Sequence, residues 1–133
     1  MNTRRPSQTF ILPWPPSVNS IWRAYKGRNI LSQPARIWND TASKELIIQR
    51  PKRVFGPVAV TIELSPPTAR SYDLDNRVKI ILDLLVRNTV IQADNAKIVR
   101  ELIVKVGEGF TGARVTVSPT PSPPPQDIEG AAV

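Results

Sequence analysis

Apolar residues recur with two different periods along this chain. At Val58, Val60, Ile62 and Leu64 they alternate with smaller or polar residues, and Pro66-Pro67 ends the run. This two-residue period predicts a strand with one buried face. At Val78, Ile81, Leu82, Leu85 and Val86 the spacing is i, i+3, i+4, i+7, i+8, which predicts a helix from about Asn76 to Arg87. Ala35, Trp38, Ala42 and Leu46 also keep helical spacing. They predict a helix from Pro34, well suited to a first turn, to about Arg50, with Ser32 as candidate cap and Pro51 as stop.

Shorter runs fill in the rest. Thr9-Phe10-Ile11-Leu12 predicts a first strand, stopped by Pro13 and Pro15-Pro16. Residues 17–33 read as a long loop. A third strand is expected from about Ala96 to Val106, a turn at Gly107-Glu108-Gly109, and a last strand at 113–117 that pairs with the third as a hairpin. The order β-α-β-α-β-β predicts an α+β fold, a mixed sheet of about four strands covered by two helices.

The 133 residues suffice for one domain with one core. Residues 118–133 hold five of the 14 prolines and few apolar side chains, so the domain is expected at 1–117 and a Pro-rich disordered tail at 118–133. No apolar run approaches the roughly 18 residues of a membrane span. The charged N-terminus leads into an apolar stretch that is short and broken by proline, unlike a signal peptide. The reading is a cytoplasmic protein with no membrane partner.

Charge and missing residue types narrow the chemistry. Lys and Arg number 18 against 11 acids, a net charge of +7, and both acids of the last 16 residues, Asp127 and Glu129, lie in the tail. A body this basic suits a polyanionic partner, because neutralised phosphates release counterions. The chain has no Cys and no His. Disulfides, Cys- or His-ligated zinc, Ser-His-Asp triads and cysteine nucleophiles are therefore excluded. Any acid–base chemistry falls to carboxylates, Lys, Tyr or metal-bound water.

The sharpest local feature is Asp73-Leu74-Asp75-Asn76, between the second strand and the second helix. In an extended segment residues two apart point the same way, so both carboxylates face one point. Lys79 and Asp83 follow on one helix face with Asp75. Plainer readings stand beside this one: Asp75 as a helix cap, Asp73 as a turn residue, Lys79 and Asp83 as a surface ion pair. Asp94 lies just before the third strand. If that strand neighbours the second, Asp94 joins the pair, and a hard cation offsets the repulsion of three carboxylates.

The stretch from Asp73-Leu74-Asp75-Asn76-Arg77 through Lys79 and Asp83 to Leu85 resembles the signature of the RusA family of Holliday-junction resolvases. So do Val90-Ile91-Gln92-Ala93-Asp94 and, near the N-terminus, Leu12-Pro13-Trp14-Pro15-Pro16-Ser17-Val18-Asn19. The three blocks occur in the family's order and cover about residues 9–117. The resemblance implies a homodimeric, bacterial or phage-encoded endonuclease that cuts four-way DNA junctions symmetrically with Mg²⁺ or Mn²⁺. The family's metal-binding aspartates fall on Asp73, Asp75 and Asp94, and its active-site lysine on Lys79. Asp83 and Asn19 match recurrent residues; the asparagine fixes the loop or approaches DNA. Two features depart from the family: Ala93 stands where a second consecutive aspartate is common, and Thr68-Ala69-Arg70-Ser71-Tyr72 holds one Arg in a segment that is often strongly basic.

The expectation is metal-assisted phosphodiester hydrolysis, with Lys79 placing positive charge on the phosphate. Arg23, Lys26, Arg28, Arg70 and Arg77 are candidate phosphate contacts, against solvated surface charge as the alternative. The rival function is a non-catalytic basic DNA-binding module. A third reading takes the Pro-rich tail as a ligand for an aromatic-lined groove.

Overall fold

Both periods are realised in the computed structural model, which describes residues 7–17 and 22–120, with Trp22 and Arg23 described by their backbone alone. In chain order the elements are β1 (Gln8–Leu12), β2 (Trp22–Tyr25), β3 (Arg28–Leu31), α1 (Gln33–Ile48), β4 (Val58–Ser65), a single 3₁₀ turn (Asp75–Arg77), α2 (Val78–Arg87), β5 (Val99–Val106) and β6 (Gly112–Pro119). Asn19 and residues 121–133 lie outside the described residues.

The alternation in β4 buries Val58, Val60, Ile62 and Leu64 completely. The stripe of α2 meets them with Ile81, Leu84 and Leu85, and α1 contributes Ala35, Trp38, Ala42 and Leu46 to the same core. The hydroxyl of Ser32 caps α1 by accepting from the Ala35 N–H at 3.3 Å. No described helix is long and apolar enough to cross a membrane.

The main sheet has the order β1-β6-β4-β5, and only the β4–β5 pair is parallel. The expected fold class, a mixed four-stranded sheet with two helices, is found, but its wiring differs from the expectation in two places. First, the third and last strands do not form a hairpin. β6 crosses the end of β4 and inserts between β4 and β1, while β5 takes the far side of β4. Ala113, Val115 and Val117 of β6 are fully buried there, in register with Leu64, Ile62 and Val60 of β4 on one side and Leu12, Phe10 and Gln8 of β1 on the other. The Gly107 N–H, donating to Leu64 O at 2.8 Å, anchors the crossing segment.

Second, the expected loop at 17–33 contains the hairpin β2–β3, turned at Lys26-Gly27 with φ of 49° and 75°. Positive φ at both central residues matches the twist of a hairpin, and glycine supplies the second without cost. The described side chains of this hairpin from Ala24 to Asn29 are exposed, so no apolar alternation marks it in the sequence. At the far end, β6 continues to Pro119 and the Thr120 N–H donates to Pro57 O at 2.9 Å, a little beyond the expected domain boundary at 117.

The two edges of the sheet are finished differently. At β1, the Gln49 side chain acts as a substitute strand. Its Oε1 accepts from the Ile11 N–H at 2.8 Å and its Nε2 donates to Ile11 O at 2.8 Å. Gln8 makes the same two-way bond with the Lys52 backbone. At β5, among the described residues, no strand and no side chain pairs with the outer edge.

Candidate active site

Prolines 66 and 67 stop β4, and the chain then needs several residues to turn into α2. An aromatic bracket holds this connection. The Tyr72 hydroxyl donates to Leu64 O at 3.3 Å, and its ring meets Trp14 edge-to-face at 5.0 Å. The Arg77 guanidinium lies over the other partner in the bracket, 4.9 Å from the Trp14 ring, and donates to Pro15 O. Trp38 of α1 closes the bracket by donating from Nε1 to Pro13 O at 3.0 Å. The segment leaving β1 thus clamps the residues that lead into α2. The candidate phosphate contact Arg77 is turned inward here, where burial pushes its pKa below the usual arginine value. Its Nε is buried and has no hydrogen-bond partner among the described residues.

Asp73 and Asp75 emerge exposed from this bracket. The expected geometry, two carboxylates flanking an extended residue, is not what forms. Leu74 has φ −61° and ψ −44°, a helical conformation, because its side chain packs on the core and a 3₁₀ turn starts directly after it. Side chains two apart in a helical turn diverge. The Asp73 carboxylate accepts from Asn76 Nδ2 at 3.2 Å instead. Asp75 lies within the 3₁₀ turn, and the first position of α2 has no side-chain cap.

The return from α2 brings the third aspartate back beside the helix. The Val90 N–H donates to Leu85 O at 2.9 Å, the Val54 N–H donates to Val90 O at 2.8 Å, and the side chains of Val90 and Ile91 are buried. Pinned in this way, residues 90–94 run along α2, and the Asp94 carboxylate meets the Lys79 ammonium at 2.7 Å. Lys79 also bonds Asp83 at 3.1 Å, one helical turn on. Lys79 therefore bridges two carboxylates, one of them from a segment 15 residues away.

Each charge in this group reinforces the others. The hydrogen bond to Asp94, then that to Asp83, raises the Lys79 pKa above the ordinary lysine value. The bond from Lys79 lowers the Asp94 pKa below the ordinary carboxylate value of 3.8, against a smaller desolvation effect. Lys79 and Asp94 thus hold each other in their charged forms at neutral pH. The structure brings together Lys79, Asp83 and Asp94; among the described residues, no three acidic side chains converge as a ready metal cage. The strand neighbourhood expected to unite the aspartates does exist, but β4 and β5 are parallel, so the end of one and the start of the other lie at opposite ends of the sheet. The return segment, not the strand pairing, carries Asp94 toward α2.

Of the candidate phosphate contacts, Lys26 and Arg28 stand exposed on the β2–β3 hairpin, and Arg70 is exposed in the connection after β4. Arg23 lies in β2, with its side chain outside the described part. The aromatic bracket and the Lys79–Asp94 bridge had no sequence signal of their own: each joins residues that local spacing does not relate.

Comparison with known proteins bears on what this arrangement does. The family model described as Endodeoxyribonuclease RusA matches residues 13–118. A protein of Shigella sonnei named crossover junction endodeoxyribonuclease RusA is 34% identical over 98 residues, covering 71% of this chain and 79% of its own length. A protein of Escherichia coli K12 with the same name matches to the same extent. The protein so named from Enterobacteria phage HK97 is 29% identical over 113 residues, covering 80% of this chain and 92% of its own.

Proposed function

Because the chain belongs to the RusA family of endodeoxyribonucleases, we propose that it resolves four-way DNA junctions by paired, symmetric phosphodiester cleavage. The observation that carries this reading is the family match over nearly all of the folded part, residues 13–118. On this reading the protein works in DNA recombination and repair, in the cytoplasm of a bacterium or a phage-infected cell.

The donor chemistry of the site suits a hard divalent cation, since every candidate ligand is a carboxylate oxygen in a chain without His or Cys. We assign Asp73, Asp75 and Asp94, which do not converge in this structure, as the residues that would draw together to hold Mg²⁺ or Mn²⁺. When bound, the cation supplies Lewis acidity toward the scissile phosphate and the attacking water. The remaining work falls to the chain. Lys79, held protonated by Asp94 and Asp83, is a fixed positive charge rather than a proton acceptor at neutral pH. It suits the charge that develops on the phosphate during cleavage. Arg23, Lys26 and Arg28 of the β2–β3 hairpin, with Arg70, bind backbone phosphates, and Arg77 braces the bracket behind the site. Two cuts related by a two-fold axis call for two equivalent sites, which a homodimer provides.

The test is cleavage of a synthetic four-way junction with Mg²⁺ against EDTA, with Asp75→Asn alongside. We expect symmetric paired nicks only with the cation, and a variant that binds the junction without cutting it. Binding without cleavage in the unaltered protein would leave a non-catalytic DNA-binding module, and full activity of Asp75→Asn would remove Asp75 from the chemistry.

A further inference from the structure

The open edge of the sheet has a chemistry that its capped counterpart lacks. On β5, Leu102, Val104 and Val106 stand opposite Val60, Ile62 and Leu64 of β4, on the helix-covered face. Yet Leu102 is 42% exposed and Val106 61%. An apolar stripe on the core side of an unpaired edge is a template for another strand. The backbone is poised for it as well. Gly107 donates to Leu64 O, so beyond the register shift at Val99 residues Glu101, Ile103 and Lys105 turn their N–H and C=O groups toward β4, and Leu102, Val104 and Val106 turn theirs outward.

We propose that β5 pairs antiparallel with β5 of a second copy, about a two-fold axis through Ile103. Residues facing each other across such an axis must point to the same side of the sheet, so only every second register is possible. In the register centred on Ile103, Leu102 faces Val104 of the second copy on the helix side, and their backbones exchange N–H···O=C bonds in both directions. On the open side Ile103 faces itself and Glu101 faces Lys105 of the second copy, an opposite-charge pair made twice by symmetry. The neighbouring registers lack this match: centring on Leu102 sets Glu101 against Ile103, and centring on Val104 sets Ile103 against Lys105. The result is one continuous sheet with both copies' helices on the same face. The inference rests on the homodimer proposed above and specifies the surface that forms it.

Charge reversal tests the register with the full-length protein, read by sedimentation equilibrium. Glu101→Lys alone and Lys105→Glu alone each set like charges opposite one another at both symmetry-related positions. Each should weaken self-association at least tenfold, with a melting temperature, taken at a concentration where every form is monomeric, close to that of the unaltered chain. Mixed in equal amounts, the two variants are complementary across the axis, and the mixture should associate within about threefold of the unaltered protein. A dimer insensitive to both substitutions would overturn the β5 edge and spare the homodimer. Two weakened variants that fail to pair when mixed would overturn the register, and an unaltered chain that stays monomeric in the presence of junction DNA would overturn the edge and the homodimer together.

Discussion

Lys79 joins two carboxylates in the candidate site, and the role proposed for it is electrostatic. Its ammonium touches Asp94 at 2.7 Å and Asp83 at 3.1 Å, with more than half of its side chain exposed. Such a partly exposed bridge adds little to stability, since exposed pairs contribute about 0–1 kcal/mol. Its effect on charge state is larger in consequence. Removing it by Lys79→Ala should lower the cleavage rate more than junction affinity; the reverse pattern, measured by single-turnover kinetics and binding, would recast Lys79 as a phosphate anchor. The same variant should let Asp94 titrate nearer its ordinary value of 3.8, whereas in the unaltered chain it titrates lower. Carbon-detected NMR of the carboxylate reads this directly. The sign for stability follows: a depressed carboxyl stabilises the fold above its ordinary pKa, and that contribution is lost as pH falls through the depressed value. At this scale the sequence was legible in residue type but not in contact. Asp73, Asp75, Lys79 and Asp94 can be picked out from the family pattern, whereas the helical turn at Leu74 and the bridge to Asp94 depend on packing that no local spacing encodes.

Among the elements, those with a buried face could be read and those without one could not. Ala35, Trp38, Ala42 and Leu46 announce α1, and Val58 to Leu64 announce β4, because burial imposes a period on the chain. The β2–β3 hairpin exposes its side chains from Ala24 to Asn29 and has no such period, and its Lys-Gly turn is a weak signal beside Asn-Gly. The place of β6 has no local signal either: a short connection suggests a hairpin with β5, whereas β6 pairs with β1 and β4, partners distant in the chain. One contact in this strand order is tight enough to test. A Cβ at Gly112, where φ is +113°, would sit 2.2 Å from Leu12 O. Gly112→Ala must therefore push β1 away from β6 while holding a strained backbone. We expect a loss of about 3 kcal/mol, read as a lower denaturation midpoint with an unchanged slope. An unaffected midpoint would mean that β1 yields freely.

For the whole molecule, the distribution of charge matters more than its total. Residues 118–133 carry Asp127 and Glu129 and no base, so residues 1–117 hold all 18 Lys and Arg against nine acids. Binding to a junction should accordingly weaken about a thousandfold between about 50 and 200 mM salt, as expected for a protein that neutralises several phosphates. A flat salt profile, measured by fluorescence anisotropy, would argue against a phosphate-reading surface. The finish of the sheet also bears on assembly size. With both borders bare, copies would add at each end and the product would be a filament without a defined length. Gln49 seals one border with its own amide, so the pairing proposed through the other would use up the open border at the first step, and growth would halt at two.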